Sequence, residues 1–162
     1  MTLPLSRRRL AAGLALTGLT ACVSVGARAG GVRESLFGRM PDGRPVKAFD
    51  VTGAGGMTAR IIEYGGIVVS LTTPDRDGVT GDVVLGLDTL GDYIDRNRNF
   101  GTIVGRYAGR IAGGRFRLDG RTVRLDTGGG AHSSHGGPDG FAKRLWRGEA
   151  VHDHIGPGVR MT

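Results

Sequence analysis

The sequence has a single cysteine, Cys22, so its 162 residues cannot form an internal disulfide. Aromatic residues make up only 6% of the chain, prolines number 6, and no stretch recurs at a fixed period. Collagen-like and low-complexity chains are therefore excluded. The excess of positive charge is interspersed with acidic residues and few aromatics accompany it, so we expect no nucleic-acid partner.

Glycine is the residue in excess, with 31 copies, and 39% of the residues are hydrophobic. A chain of this length and apolar content is enough for one packed domain and too short for two. Abundant glycine without a repeat indicates many tight turns between short strands. The net charge of +7 allows an anionic partner without identifying one.

The first 29 residues have the layout of an export signal, with a basic start, an apolar run over 10–19 and small residues after it. The apolar run is about half the roughly 20 residues that span a bilayer. "SRRRL" resembles a twin-arginine signal, and "LTAC" resembles a lipobox ending at Cys22. We expect an exported bacterial lipoprotein anchored through a lipidated Cys22. The alternatives are cleavage after Ala29, which releases a soluble periplasmic protein, and an uncleaved cytoplasmic N-terminus.

The remainder, from residue 36 to 162, consists of short apolar segments separated by turn residues and is interpreted as one domain. Pro41-Asp42-Gly43 predicts a hairpin turn, a Gly-Gly pair breaks the next segment, and "PDRDG" ends it. "DVVLGLDTL" is interpreted as a further buried strand, and a helical piece is placed over 103–111. "FRLDGRTVRL" predicts a two-strand hairpin with an Asp-Gly turn. No long helical period is present, so the predicted class is all-β, a sandwich or a barrel.

Several separated motifs carry a family resemblance. They are Phe100-Gly101, Gly105-Arg106, Arg110-Ile111, Asp119-Gly120, His135-Gly136-Gly137, Gly140-Phe141, Lys143 and Trp146. In order and spacing they resemble the aldose 1-epimerase family, also called galactose mutarotases. The resemblance extends from about residue 36 to the last residue.

The resemblance implies a galactose mutarotase-like supersandwich, of which this chain is the N-terminal part: a partial antiparallel β-sandwich. It also implies interconversion of the α and β anomers of free aldoses such as galactose or glucose, without metal or organic cofactor. Opening a hemiacetal ring needs one group to take a proton and another to donate one. Arg110 matches the family arginine that hydrogen-bonds sugar hydroxyls, and its planar fork suits adjacent oxygens. His135 matches the histidine that contacts the sugar near the reacting oxygens.

Other positions depart from the family pattern or have other interpretations. His132 stands where the family has asparagine, and Gly109 replaces the asparagine beside Arg110. Arg106 is expected to be a buried ion-pair partner and Trp146 a core ring. A zinc or copper site built from the four histidines is chemically possible, although their spacing fits no compact ligand motif, and no metal is expected.

The resemblance assigns the general acid to a second histidine and the general base to a late glutamate, and neither has a match in these 162 residues. We therefore expect a truncated epimerase-like chain that is inactive alone. Two alternatives remain. The chain works with a partner that supplies the missing strands, or it is a non-catalytic carbohydrate-binding or structural envelope module.

Overall fold

The computed structural model describes residues 30–162, which form short antiparallel strands and very little helix. The strands are β1 (Gly31–Arg39), β2 (Pro45–Thr52), β3 (Thr58–Ile62), β4 (Ile67–Pro74), β5 (Thr80–Asp82), β6 (Arg110–Ala112), β7 (Arg115–Leu118), β8 (Arg121–Arg124), β9 (His132–Ser134), β10 (Gly148–His152) and β11 (Pro157–Met161). The helices are α1 (Leu90–Asp95) and a 3-10 turn (Phe141–Lys143). The predicted all-β class is confirmed. None of the helices between residues 30 and 162 has the length and apolar character needed to traverse a lipid bilayer.

The largest sheet has the order β1-β2-β3-β4-β5, with every neighbouring pair antiparallel. Each connection is a short turn at a place the sequence marks with glycine. Gly43, in the left-handed region at φ 88°, closes the β1–β2 turn after Pro41 and Asp42. Local turn chemistry alone therefore orders most of this sheet.

The core lies against one face of this sheet and is formed by alternate residues. On β2, Val46 and Ala48 are fully buried while Lys47 between them is exposed, as the period of a strand requires. The core cluster contains Val46, Ala48, Ile62, Tyr64, Ile67, Leu90 and Tyr93. The Tyr93 hydroxyl accepts the Leu87 N–H at 2.8 Å, and burial raises the pKa of this phenol.

Two local predictions are wrong. The segment 103–109 is irregular and leads into β6, while the helix lies earlier, at α1, where Thr89 caps it by accepting the Asp92 N–H at 3.2 Å. The segment "DVVLGLDTL" is not a buried strand. Its pairing with β4 extends only to Val83, whose N–H donates to the Leu71 carbonyl at 2.9 Å, while the Asp82 carboxylate accepts the N–H groups of Leu71 and Val84. Leu85 beyond it is 73% exposed.

Residues 110–134 form two short two-stranded sheets that follow each other along the chain, called here the hairpin arm. β6 pairs with β9 at its base, and β7 pairs with β8 at its tip. The Asp119-Gly120 turn joins β7 to β8 with both residues in the left-handed region, at φ 49° and 76°. The predicted hairpin is therefore confirmed, and its turn dihedrals are those that suit strand twist.

A second layer begins with the β10–β11 hairpin, which lies against β1 and β2. Glu63, only 8% exposed, joins the two layers. Its carboxylate accepts the Lys47 N–H on β2 at 2.9 Å and the Gly148 N–H at the start of β10 at 3.0 Å. A residue at the end of β3 thus fixes the position of a strand 85 residues further along the chain.

Candidate functional site

The base of the hairpin arm brings the two predicted sugar contacts together. Arg110 on β6 stands opposite Ser134 on β9, so His135 follows directly beside it. The His135 N–H donates to the Gly109 carbonyl at 2.9 Å, which extends the pairing by one residue. Two residues 25 positions apart therefore become neighbours because of strand register.

The loop after His135 has a backbone that few residues can adopt. His135, Gly136 and Gly137 all lie in the left-handed region, at φ 52°, 92° and 85°. A Cβ on Gly136 would come closer than 3.0 Å to the Gly105 carbonyl oxygen. That same carbonyl accepts the Phe141 N–H at 3.0 Å. The loop is therefore packed directly onto the backbone at Gly105, and a side chain at 136 has no room.

A backbone contact orients the imidazole of His135. The Gly109 N–H points at Nδ1 of His135 at 3.3 Å, so this nitrogen accepts. A neutral imidazole carries one N–H, and we infer that its proton is on Nε2. His135 therefore presents a hydrogen-bond donor to a ligand.

His135 lines a cavity of about 360 Å³, within the usual size range of small-molecule sites. The lining residues are Asn97, Asn99, Thr127, Gly128, Ser134, His135, Gly137, Pro138, Ala142 and Lys143. Amides, hydroxyls, one imidazole and one ammonium are the polar groups. None of these lining residues is Asp or Glu. The cavity is thus rich in neutral hydrogen-bonding groups and has no carboxylate among the described residues that form it.

Arg110 is exposed at the start of β6 and is not part of the cavity lining in the described chain. It stands on the strand beside His135, and its neighbour Ile111 turns inward. Through the strand register Arg110 stands opposite Ser134, which does line the cavity. Its planar guanidinium suits contact with adjacent hydroxyls of a ligand.

His132 has the same kind of backbone contact at the other end of β9. Its Nδ1 accepts the Gly113 N–H at 3.4 Å, but the residue is exposed and does not line the cavity. The other two histidines lie elsewhere, at the end of β10 and in the turn after it. Between residues 30 and 162 no three His, Cys, Asp or Glu side chains come close enough together to hold a metal ion.

The segment 141–146 supports the cavity wall. The Phe141 and Trp146 rings meet edge to face at 5.0 Å, and Trp146 Nε1 donates to the Phe141 carbonyl at 3.2 Å. The expectation of a buried ion pair for Arg106 is wrong. Arg106 is exposed, and its guanidinium lies over the half-buried Phe141 ring at 5.3 Å instead of pairing with a carboxylate.

Sequence reasoning missed part of the lining. Lys143 was noted only as part of a motif, and its place in the Phe141–Lys143 turn puts it on the cavity wall. Asn97 and Asn99 follow α1, and nothing in their spacing relates them to His135. Cys22, the expected lipid anchor, lies outside the described residues.

Comparison with known proteins gives consistent matches. The family model described as Aldose 1-epimerase matches residues 47–162. A galactose mutarotase of Sus scrofa is 40% identical over 116 residues, which cover 71% of this chain and 34% of the relative. An aldose 1-epimerase of Escherichia coli K12 is 36% identical over 107 residues, 66% of this chain and 31% of the relative. The chain spans about a third of the length of these relatives.

Solved structures support the fold. A galactose 1-epimerase from Lactobacillus acidophilus superposes with a TM-score of 0.61 at 24% identity, covering 76% of this chain and 35% of that protein. The antiparallel β-sandwich predicted for this chain is therefore confirmed at the level of the fold.

Proposed function

The chain belongs to the aldose 1-epimerase family, and on this basis we propose that residues 30–162 carry a binding site for a free aldose such as galactose or glucose. The observation that most supports this proposal is the β6–β9 register. In this register Arg110 stands beside His135, and the Gly109 N–H orients the imidazole. The names of the relatives, galactose mutarotase and aldose 1-epimerase, support a sugar as the ligand.

The site has the chemistry that a sugar requires. Neutral amides and hydroxyls from Asn97, Asn99 and Ser134 line the cavity and match ligand hydroxyls without charge. In the proposed complex His135 Nε2–H donates to a ring or hydroxyl oxygen, and Arg110 offers paired donors to neighbouring hydroxyls. In this proposal the described residues bind and orient the sugar.

Anomer interconversion needs in addition a group that removes the proton from the anomeric hydroxyl. The described cavity offers one imidazole and no carboxylate for this step. We therefore propose that these 162 residues bind an aldose without accelerating its mutarotation.

Sugar binding can be followed through the single tryptophan, Trp146, which contacts Phe141 behind the cavity wall. We expect titration with galactose to change its fluorescence. His135→Asn is expected to weaken binding about tenfold, since one directed hydrogen bond is lost. Asparagine tolerates the left-handed backbone at this position, so the loop is retained.

The matched control is His132→Asn, which removes an imidazole at the other end of β9 with the same kind of backbone contact. We expect this variant to bind galactose like the unaltered chain. Equal losses in both variants, or no fluorescence response at all, would contradict the proposed site.

Polarimetry starting from pure α-galactose is expected to show mutarotation at the same rate with the chain as in buffer alone. Acceleration that His135→Asn abolishes would instead favour a complete epimerase.

We also propose that the protein is exported in a bacterium and anchored in a membrane through Cys22. The twin-arginine and lipobox patterns of the first 29 residues support this proposal. On cell fractionation, the unaltered chain should sediment with membranes, and Cys22→Ser should move it to the soluble fraction. A soluble unaltered chain whose N-terminal residue is Gly30 would point to cleavage after Ala29 instead.

A further inference from the structure

The tip of the hairpin arm carries a strongly basic face. Arg115 on β7 stands directly opposite Arg124 on β8, and Arg117 stands opposite Thr122. Directly opposed residues of an antiparallel pair share a face, as do residues two apart on one strand. Three arginines and one threonine therefore share one face of a two-stranded ribbon, called here the arginine face.

Nothing in the described chain neutralises this charge. No carboxylate between residues 30 and 162 lies within 4.0 Å of these three guanidinium groups. Like charges placed directly across a strand pair repel each other and destabilise the pairing. Arg115 and Arg124 are thus held together against their repulsion, an arrangement that an anionic ligand would relieve.

The arginine face opens onto a cavity of about 390 Å³, lined by Arg115, Phe116, Arg117, Thr122 and Arg124. The Phe116 ring packs edge to face against Tyr107 at 5.2 Å. The Arg117 guanidinium donates to the Gly120 carbonyl at 3.3 Å, which holds it along the turn. Among the described residues Arg115 and Arg124 form no ion pair, so both guanidinium groups are available to a ligand.

We propose that the arginine face binds an anionic polysaccharide, whose carboxylate groups pair with the guanidinium forks of Arg115, Arg117 and Arg124. Guanidinium groups bind carboxylates with two parallel hydrogen bonds, which suits repeated acidic groups on a polymer. The choice of a saccharide rests on the proposed function, because Arg110 at the base of the same arm stands beside His135.

Other polyanions fit less well. Surfaces that dock on lipid combine basic groups with apolar side chains that enter the bilayer, whereas Phe116, the one apolar residue that lines this cavity, already packs against Tyr107. Single-stranded nucleic acids require aromatic platforms for the bases, and Phe116 is already engaged with Tyr107.

The test uses the full chain and fluorescently labelled polygalacturonate, with neutral dextran as the comparison. We expect binding of polygalacturonate and none of dextran. Arg115→Gln combined with Arg124→Gln should weaken binding at least about tenfold, since two charge-assisted contacts are lost. The matched control is Arg33→Gln with Arg76→Gln, which removes the same charge from two exposed positions elsewhere and should change binding less than twofold.

Equal weakening in both double variants would overturn the proposal, because net charge would then account for the effect. Absence of polygalacturonate binding would also overturn it, as would tighter binding to a DNA duplex or to phosphatidylglycerol vesicles.

The melting temperature of Arg115→Gln/Arg124→Gln should be unchanged or higher, because repulsion is relieved; a fall would assign these arginines a structural role. Galactose-induced Trp146 fluorescence should persist in this variant. If the unaltered chain binds polygalacturonate but shows no galactose-induced change in Trp146 fluorescence, only the proposed aldose site is contradicted.

Discussion

Replacing Glu63 with alanine should lower the free energy of unfolding by about 3 kcal/mol, among the largest effects expected of any single substitution in this chain. The carboxylate is buried and accepts two backbone N–H groups, those of Lys47 and Gly148. Alanine leaves both N–H groups without their acceptor in the protein. Each unsatisfied buried donor costs about 1 to 3 kcal/mol.

Urea denaturation followed by circular dichroism measures this loss. Glu63→Gln should lose nearly as much, because its amide group would place a donor against one of the two N–H groups. Glu149→Ala is the matched control, since Glu149 pairs with Arg147 at a partly exposed site and should lose less than about 0.5 kcal/mol. A Glu63→Ala variant as stable as Glu149→Ala would show that the carboxylate does not join the two layers.

The second large effect is expected from Gly136→Ala. Its φ of 92° is unfavourable for alanine, and its Cβ would overlap the Gly105 carbonyl. We expect the native loop conformation to become less favourable by about 3 kcal/mol. The displaced loop then predominates, and only the small fraction of molecules with the native loop binds galactose. The apparent affinity for galactose therefore falls in proportion to that fraction, roughly a hundredfold. Trp146 fluorescence titration measures the loss.

Gly129→Ala separates backbone strain from steric overlap. Gly129 has a similar φ of 82° but no atom within 4 Å of a Cβ built on it. Alanine there should show the strain of the left-handed conformation, about 1 kcal/mol, and leave galactose binding nearly unchanged. Comparable losses of affinity in the two variants would mean that close packing of residue 136 onto Gly105 does not shape the cavity.

Turns were the most predictable part of the fold. Asp119-Gly120 and Pro41-Asp42-Gly43 form hairpin turns because their backbone dihedral preferences favour a turn. These preferences do not depend on distant contacts. Predictions based on apolar patterns failed where a distant group decides the outcome. The expected strand does not form beyond Val83, where the Asp82 carboxylate accepts the N–H groups of Leu71 and Val84. The short helix α1 depends on its Thr89 cap and on burial of Tyr93.

In the candidate site, too, sequence motifs identify some residues, whereas the contacts between them depend on the fold. Arg110 and His135 were identified by resemblance, because their neighbours form motifs along the chain. Their proximity follows from the β6–β9 register, which sequence spacing does not reveal. Lys143 escaped notice for a related reason: its place on the cavity wall depends on how the Phe141–Lys143 turn packs against the loop after His135.

The contact between Gly109 and His135 has a consequence for how this site can diversify. Because the backbone N–H orients the imidazole, every residue except proline supplies the same donor at position 109. The space beside this residue is open, with no atom within 4 Å of a Cβ built there. The orienting contact and the identity of side chain 109 are therefore separable. A new polar group can be introduced beside Arg110 to retune ligand preference while the donor of His135 keeps its direction, and asparagine or aspartate suit the backbone φ of 71° best.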